Sequence, residues 1–485
     1  MARAVAWNAA ASWTAQILSW ASTIVVARLL TPFDYGVIGM ASLYLNLALL
    51  ISQAGIADAV IALRDLTDRE ISELNTVGLM MSFGLAGITC VLAKPISRFF
   101  SSPPLYEVLL ISSAIYLFNA FQIVPKAVLQ KQLRFKLLAS IDTTRAVLQI
   151  AATVLFAFLG FRYWSLVIGY MTSSATVSLL TYCYVRQPFA WPQFRLLRRE
   201  LRFSRQALLS RVAVYAYDNA DFGVAGRVLG EAPLGNYTIA WTISSAPVEK
   251  IANLVMAVTP AYFSTLQNDK PQLRRYLLRL TELLSFITLP ASIGIAISAR
   301  YLVPALLGPK WHGVIGPLRL LGLFVAVRSV ATILPNLLTA IGDAGFVMWA
   351  SLASTVVMPI SFFIGSHWGT SGIAAAWAIA YPPMMLPLYW RVFKKIELRV
   401  AEYWKAVFPA LSASAIMAIA VFMAKTLLPG SYRPIVMLAV IILVGTVSYV
   451  GALLAFHRRR VFQLVQGVRA VIAKKQGGAV AEVSA

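Results

Sequence analysis

Fourteen long apolar stretches run through the chain, and they constrain its fold more than any other feature. A helix that crosses a membrane needs about 20 mostly apolar residues. Stretches of this length occur at residues 7–28, 36–57, 75–94, 104–124, 138–159, 164–185, 206–228, 237–260, 281–300, 315–340, 345–366, 371–391, 405–427 and 434–456. The sequence therefore predicts an all-α polytopic membrane protein with about 14 transmembrane helices.

The composition agrees with this prediction and excludes a soluble enzyme. Of the 485 residues, 59% are hydrophobic and only 13% are charged, whereas soluble domains carry about 25% charged residues. The stretches leave no room for a folded domain outside the membrane. The first stretch is too long for a cleaved signal peptide, and it ends at Arg28.

The net charge of +23 is distributed unevenly among the loops between the stretches. With the N-terminus placed inside, the inner loops and tail hold 28 Lys and Arg residues and the outer loops hold 10. Positive charge gathers on the cytoplasmic side of membrane proteins, so both termini are predicted to be cytoplasmic. This explanation leaves no need for a nucleic-acid partner. The basic, amphipathic tail is expected to lie on the anionic lipids of the inner leaflet.

A short repeat relates the two halves of the chain. Ala27–Gly36 and Gly226–Gly235 align at an offset of 199 residues, which pairs Arg28 with Arg227 and Gly36 with Gly235. A fainter similarity relates Pro125 to Pro335. Six stretches separate the copies, so the repeat is parallel.

The repeat predicts two six-helix lobes around a central cavity, followed by two extra helices. In residue ranges, we expect an N-lobe at 1–185, a basic cytoplasmic linker at 186–205, a C-lobe at 206–391, the two extra helices at 392–456 and the amphipathic tail at 457–485.

Several stretches resemble the Wzx-type polysaccharide flippases of the multidrug/oligosaccharidyl-lipid/polysaccharide exporter superfamily. In the first half these are ARLLTPFDYGVIGMA at Ala27–Ala41 and DLTDREISEL within Ile61–Leu74. In the second half they are Asp218–Asp221, Gly226–Gly230, Leu234–Tyr237 and Leu307–Trp311. The similarity covers roughly residues 5–400.

This resemblance implies a carrier that opens alternately to the two sides and has a cationic cavity. Its cargo would be an undecaprenyl-diphosphate-linked oligosaccharide, carried from the inner to the outer leaflet of the bacterial cytoplasmic membrane. The product would be O-antigen, capsule or exopolysaccharide, and a polysaccharide polymerase or export complex would be a partner.

Ionisable residues inside the predicted helices are the candidate site residues, because each costs about 2.5–3.5 kcal/mol at the membrane centre. The substrate-binding candidates are the cations, namely Arg145, Arg211, Lys250 and Arg328. The ion-coupling candidates, which would take up a proton or a sodium ion, are Asp218, Asp221 and Glu249. No cofactor is expected.

Structural ion pairs are the alternative explanation for these charges. Arg211 and Asp218 share one helix face, where Arg211 would hold diphosphate, but Asp218 is equally able to pair with Arg328. Asp142 and Arg145 lie three residues apart and can pair locally.

Arg28 and Arg227 end matched helices at the outer face. They either reach towards the lipid headgroups or form a weak exit site for phosphate.

Rival functions remain open at this point. One is an ion-coupled multidrug or small-molecule antiporter of the same superfamily, and another is a membrane-embedded glycosyltransferase or polymerase. The chain has no Walker-type phosphate loop, which argues against ATP hydrolysis. Its two cysteines and three histidines are too scattered for a metal site.

Overall fold

Helices make up nearly all of the chain that the computed structural model describes. The described residues are 20–462 without 54–55, 64–65, 194–211, 213, 257–258, 260–262, 264, 268 and 429–432. The chain folds into two compact units, with the boundary between Thr238 and Ile239. The division into lobes around residues 186–205 stays a prediction.

The described helices of the first unit run from α1 to α10. They are α1 (Trp20–Leu29), α2 (Pro32–Gln53), α3 (Ile56–Ala62), α4 (Asp68–Phe100), α5 (Pro103–Ser112), α6 (Ala114–Ala120), α7 (Ile123–Lys131), α8 (Phe135–Phe158), α9 (Trp164–Tyr184) and α10 (Ala220–Leu229). The next helix, α11 (Glu231–Met256), begins in this unit and continues into the second.

The described helices of the second unit continue from α12 to α18. They are α12 (Lys270–Leu306), α13 (Ile315–Ala331), α14 (Ile333–Ala340), α15 (Ala344–Ser366), α16 (Gly369–Ile396), α17 (Val400–Leu427) and α18 (Pro434–Phe456). A 3₁₀ turn at Pro309–Val314 precedes α13.

Ten helical segments of the described chain are long and apolar enough to cross a membrane. They coincide with ten of the predicted stretches. The eighth and twelfth stretches correspond to α11 and α16, which are long helices outside that set. The first and seventh stretches fall partly outside the described residues. An all-helical, polytopic architecture is therefore confirmed, while the total of 14 crossings stays a prediction.

Two of the crossing segments are broken at matching prolines. The segment Pro103–Lys131 contains three short helices, and Pro309–Ala340 contains the 3₁₀ turn and two helices. Pro125 is the third residue of α7 and Pro335 is the third residue of α14. Proline lacks the backbone N–H and fits most readily in the first turn of a helix, where that group needs no partner within the helix. The same local break therefore occurs in both halves of the chain, in agreement with the repeat.

The repeated motif builds the start of α2 by capping. The Thr31 hydroxyl and its backbone N–H both donate to Asp34 Oδ2, at 2.6 and 2.8 Å, and Asp34 N–H donates to the Thr31 hydroxyl at 3.3 Å. Pro32, between them, is the first helical residue. Capping boxes of this kind satisfy the unpaired N–H groups that begin a helix. The sequence TPFD thus specifies where α2 begins.

The two copies of the motif contact each other through their glycines. A Cβ atom on Gly36 would lie 1.8 Å from the carbonyl oxygen of Glu231, and one on Gly235 would lie 1.8 Å from that of Pro32. Glu231 follows Pro32 by the same 199 residues that separate the two glycines, so the contact is reciprocal. The backbones of α2 and α11 touch here, and only glycine permits that approach.

The helices α4 and α12 are longer than the stretches that predicted them. They contain 33 and 37 residues, which corresponds to about 50–55 Å at 1.5 Å per residue. The spacing Thr67-x-x-Glu70 is the sequence pattern of a capping box, and the structure has this capping box at the start of α4. Each apolar stretch corresponds only to the middle of its helix. The helix begins at a capping residue outside the stretch, so it extends beyond the hydrocarbon.

The beginning of the predicted linker packs against α4. Gln193 N–H donates to Glu73 Oε2 at 3.1 Å, and the Asn75 side chain lies 3.4 Å from the carbonyl oxygen of Gln187. The remainder of the linker, at 194–205, and most of the predicted amphipathic tail, at 463–485, lie outside the described residues.

An ion-pair cluster joins the start of α15 to the end of α16. Asp343 lies in the turn at Gly342 that separates α14 from α15, as the sequence predicted. Arg391 Nε donates to it at 2.7 Å, and Lys395 Nζ lies 3.7 Å away. The hydrogen bond from Arg391 holds the pKa of the Asp343 carboxyl below its usual range.

Candidate functional site

The Arg145 cluster is a group of polar side chains in the first unit, consisting of Lys126, Asp142, Arg145, Gln149 and Ser173. Asp142 Oδ1 lies 3.7 Å from Arg145 Nε and 3.8 Å from Lys126 Nζ. Arg145 Nη1 donates to Ser173 Oγ at 3.1 Å and to Gln149 Oε1 at 3.5 Å. The helices α7, α8 and α9 each contribute to the cluster.

Two cations share one carboxylate here, so the Arg145 cluster carries one excess positive charge. The pair of Asp142 with Arg145 follows the predicted three-residue spacing. All three charged side chains remain partly open, with 48% of Asp142 and 37% of Arg145 exposed. A partly open cationic group can approach an anion without first losing its own ion pair.

Lys126 was missing from the predicted site, because the sequence placed it in a loop at 125–137. That placement is wrong for its first part, since α7 continues as a helix to Lys131. Lys126 is a polar residue in a short helix. Its hydropathy does not distinguish it from a loop residue.

A cavity of about 230 Å³ adjoins the Arg145 cluster within the first unit. Its polar lining comes from α2, α5, α8 and α9, through Asn46, Ser112, Gln149 and Tyr170. Gln149 also accepts the hydrogen bond from Arg145, so it connects the cluster to the cavity. A cavity of this size, with several polar groups in its lining, has room for several water molecules.

Three tyrosine hydroxyls form hydrogen bonds on or against α2. Tyr116 and Tyr215 donate to the carbonyl oxygens of Leu45 and Leu43, at 3.4 and 2.9 Å. Tyr44 lies 3.0 Å from Thr89 Oγ1. Tyr116 is fully buried, so its ring packs helices together and cannot stack on a sugar.

The Arg328 cluster is a cationic group of the second unit, in which Arg328 lies among Trp241, Phe324 and Trp377. The guanidinium carbon is 5.6, 5.9 and 6.0 Å from the three ring centres. The rings also pack on one another, with Phe324 and Trp377 4.7 Å apart. Cation–π contacts contribute about 0.5–2 kcal/mol each and orient the guanidinium.

Lys250 and Arg211 are the other substrate-binding candidates, and Asp218 and Glu249 are two of the ion-coupling candidates. Lys250 is exposed on α11 in the second unit. Arg211 lies outside the described residues, and so does the side chain of Glu249. Asp218 is half-buried in the first unit. Their roles in substrate binding or ion coupling stay predictions.

Asp221 is fully buried and joins two helices of the first unit. Tyr237 on α11 donates to its Oδ2 at 2.6 Å, and the backbone N–H of Phe222 donates to its Oδ1 at 2.9 Å. Tyr237 is itself fully buried. The carboxylate therefore packs α10 against α11, and the predicted ion-coupling role has no further support from these contacts.

The two matched arginines lie at the surface of the first unit. Arg227 Nη1 is 3.2 Å from Ser101 Oγ, and its guanidinium lies 5.3 Å from the centre of the Phe99 ring. Arg28 is exposed near the end of α1. The Arg227 contacts attach the end of α10 to the end of α4, which is a structural role. The phosphate-exit role stays a prediction.

Comparison with known proteins identifies the family. A family model described as "Polysaccharide biosynthesis protein" matches residues 25–316, which is more than half of the chain. The lipopolysaccharide biosynthesis protein WzxC of Escherichia coli (strain K12) is 25% identical over 69% of this chain and 68% of its own. The succinoglycan biosynthesis transport protein ExoT of Rhizobium meliloti is 24% identical over 81% of this chain and 80% of its own.

Solved structures identify the fold. Lipid II flippase MurJ, in an inward closed conformation, matches with a TM-score of 0.77 and 14% identity over 94% of this chain and 99% of its own. An inward-facing multidrug resistance MATE family transporter matches with a TM-score of 0.60 and 16% identity over 79% of this chain and 96% of its own. The resemblance to the Wzx-type family is confirmed, and the fold is of the MurJ and MATE type. The chain is a multi-pass bacterial membrane protein of the polysaccharide biosynthesis protein family, a family of transporters and not of enzymes.

Proposed function

We propose that the protein is a flippase for a polyprenyl-diphosphate-linked oligosaccharide. It moves this lipid from the cytoplasmic to the periplasmic leaflet, and the oligosaccharide then enters a surface polysaccharide such as O-antigen, capsule or exopolysaccharide. The relatives support this assignment, because their names place them in lipopolysaccharide biosynthesis and succinoglycan transport. One of the solved structures with the same fold, MurJ, is a lipid II flippase.

The physical task of such a carrier is to move two phosphates and a sugar chain across about 30 Å of hydrocarbon. A hydrated passage keeps the sugars solvated, and arginines neutralise the phosphates with charge-assisted hydrogen bonds. In our proposal, two six-helix lobes surround a central cavity that opens to each leaflet in turn, and two additional helices follow. Both termini are cytoplasmic.

The excess positive charge of the Arg145 cluster is the observation that carries the proposal. Asp142 neutralises only one of the two cations that it contacts, so a charge remains for an anionic headgroup. An antiporter for organic cations needs the opposite arrangement, with carboxylates in excess. The Arg328 cluster adds a second cation, which its aromatic neighbours hold in place.

Coupling to an ion gradient is a further part of the proposal. Asp218 and Asp221 are the described carboxylates that would take up a proton or a sodium ion. Asp218 is the better candidate of the two, since it is only half-buried whereas Asp221 is fully buried.

Deletion of the gene tests the proposed cargo. We expect the lipid-linked oligosaccharide to accumulate on the cytoplasmic leaflet, where a membrane-impermeant glycosidase added to spheroplasts cannot digest it. The surface polymer should be lost, and expression of the wild-type chain should restore both polymer and digestion.

The same strain distinguishes the antiporter. If the deletion leaves the surface polymer unchanged in the absence of a second transporter, the flippase proposal fails. Hypersensitivity of that strain to organic cations, relieved by the wild-type chain, would instead assign drug export.

A further inference from the structure

A cleft outside the two cationic clusters lies where α17 begins and α18 ends. Its volume is about 430 Å³. The lining consists of Ala401, Trp404, Lys405, Phe408, Pro409, His457 and Arg460. We call it the α17–α18 cleft. Both helices are candidate membrane spans, so the cleft lies at the level where a membrane meets water.

The charge of the α17–α18 cleft favours an anion. Lys405 and Arg460 are exposed, and the lining contains no carboxylate. Arg460 Nη1 lies 3.7 Å from Glu282 Oε1, which positions its guanidinium. His457 Nε2 lies 3.0 Å from Ser412 Oγ, which positions the imidazole. Exposed Arg458 and Arg459 add further positive charge beside the cleft.

The apolar side of the α17–α18 cleft continues along α17. Trp404 and Phe408 are 55% and 57% exposed, and the exposed stripe extends through Leu411, Ile419 and Phe422. These residues recur at intervals of three or four, or sums of them, so they share one helix face. Cations at the end of such a stripe match a molecule with an anionic head and an apolar chain. A free anion would use only the cations.

We propose that the α17–α18 cleft binds the headgroup of an anionic phospholipid of the surrounding membrane. Lys405 and Arg460 contact the phosphate, Trp404 and Phe408 flank the glycerol region, and an acyl chain lies along the exposed stripe of α17. The aromatic residues match this position, since Trp is enriched at membrane–water interfaces. The lipid would hold the start of α17 and the end of α18 together. The proposal is independent of the transported cargo.

Binding of phosphatidylglycerol to the purified full-length chain tests this assignment by native mass spectrometry. Phosphatidylcholine, which has no net charge, is the comparison lipid. We expect the wild-type chain to retain phosphatidylglycerol and to release phosphatidylcholine. Each cation near anionic lipid contributes enough that its loss should weaken binding about fivefold. Lys405→Gln should therefore bind about fivefold more weakly, and the double variant with Arg460→Gln about 25-fold.

Lys394→Gln is the matched control. Lys394 also lies over an exposed tryptophan near the end of a helix, 5.2 Å from the ring of Trp390, but it is not part of the cleft. Its substitution should leave binding within twofold of the wild type. Lys405→Gln leaves the contact of Arg460 with Glu282 intact, so a weaker affinity in this single variant cannot result from loss of that contact.

Three results would overturn the assignment. Equal retention of the two lipids would show that the charge of the lipid does not determine binding. Displacement of phosphatidylglycerol by millimolar inorganic phosphate would show a site for a free anion. Stronger binding of a polyprenyl phosphate, lost in Lys405→Gln, would assign the cleft to the transported lipid and not to a phospholipid of the membrane.

Discussion

Arg145 and Lys126 contact the same carboxylate, that of Asp142, from different helices. A sequence can therefore predict only part of this cluster. Spacing along α8 predicts the pair of Asp142 with Arg145, because residues three apart lie on one helix face. Lys126 belongs to α7, and its contact with Asp142 depends on how two helices pack. Local spacing contains no information about that packing, so the excess charge of the cluster was not predicted.

Substitution of Arg145 tests the cluster directly. Arg145→Ala should lower transport of the lipid-linked oligosaccharide about tenfold or more, because hydrogen bonds to a charged group contribute about 1.5–3 kcal/mol. Arg145→Lys should retain part of the activity. The measurement is polymer export in the deletion strain, at equal amounts of protein in the membrane.

Lys136→Ala serves as the control for Arg145→Ala. Lys136 is exposed on the same helix and lies outside the cluster, so the net charge changes equally while the site does not. Equal export by Arg145→Ala and Lys136→Ala would show that the Arg145 cluster is structural only. Asp142→Asn should not reduce export, since it leaves both cations in place.

The Arg328 cluster makes a different prediction, because there the shape of the cation matters. Arg328→Lys keeps the charge but loses the planar guanidinium that packs against Trp241, Phe324 and Trp377. Export should fall about threefold in Arg328→Lys and further in Arg328→Ala. Full activity of Arg328→Ala in the same export assay would remove this cluster from the proposed mechanism.

At the scale of elements, the start of a helix was more predictable than a break within one. The capping box at Thr67 and Glu70 is a local pattern, and α4 begins there. Hydropathy did not show the breaks within Pro103–Lys131 and Pro309–Ala340. Hydropathy remains high across a break of one or two residues. The hydropathy of an apolar stretch therefore does not show whether its helix is continuous or interrupted.

The glycine contact between the repeated motifs gives a prediction for α2 and α11. Gly36→Ala and Gly235→Ala each place a methyl group on a carbonyl oxygen of the partner helix, at 1.8 Å if nothing moves. The helices must separate, and overpacking of this kind costs about 1–3 kcal/mol or more. Both variants should lower the midpoint of thermal unfolding, by similar amounts because the contact is reciprocal.

Gly87→Ala is the matched control for both glycine variants. Gly87 lies within α4, and a Cβ atom there meets nothing within 4 Å. Alanine has the higher helix propensity, so this variant should be as stable as the wild type or more stable. An unchanged midpoint in Gly36→Ala would show that α2 and α11 do not rely on this close approach.

At the scale of the whole molecule, amino-acid composition and the length of apolar stretches determined the fold class, and the family followed from a few turn motifs. The same features are poor guides to the site. Ionisable residues within predicted helices included Arg145 and Arg328, which have clear partners, but also Asp221, whose contacts join two helices. Burial of a charge indicates that it has a partner, and only the three-dimensional arrangement identifies that partner.

Orientation in the membrane is the remaining prediction at this scale, and two positions on either side of one crossing segment test it. Arg98 is exposed near the end of α4, and Lys136 is exposed near the start of α8, with Pro103–Lys131 between them. After replacement of the exposed cysteines Cys90 and Cys183, an impermeant maleimide should label Arg98→Cys in intact spheroplasts. It should label Lys136→Cys only after lysis. The reverse pattern would invert the proposed topology, and labelling of both positions before lysis would mean that Pro103–Lys131 does not cross the membrane. The prediction follows from charge alone, because the inner loops and tail carry 28 of the Lys and Arg residues against 10 in the outer loops.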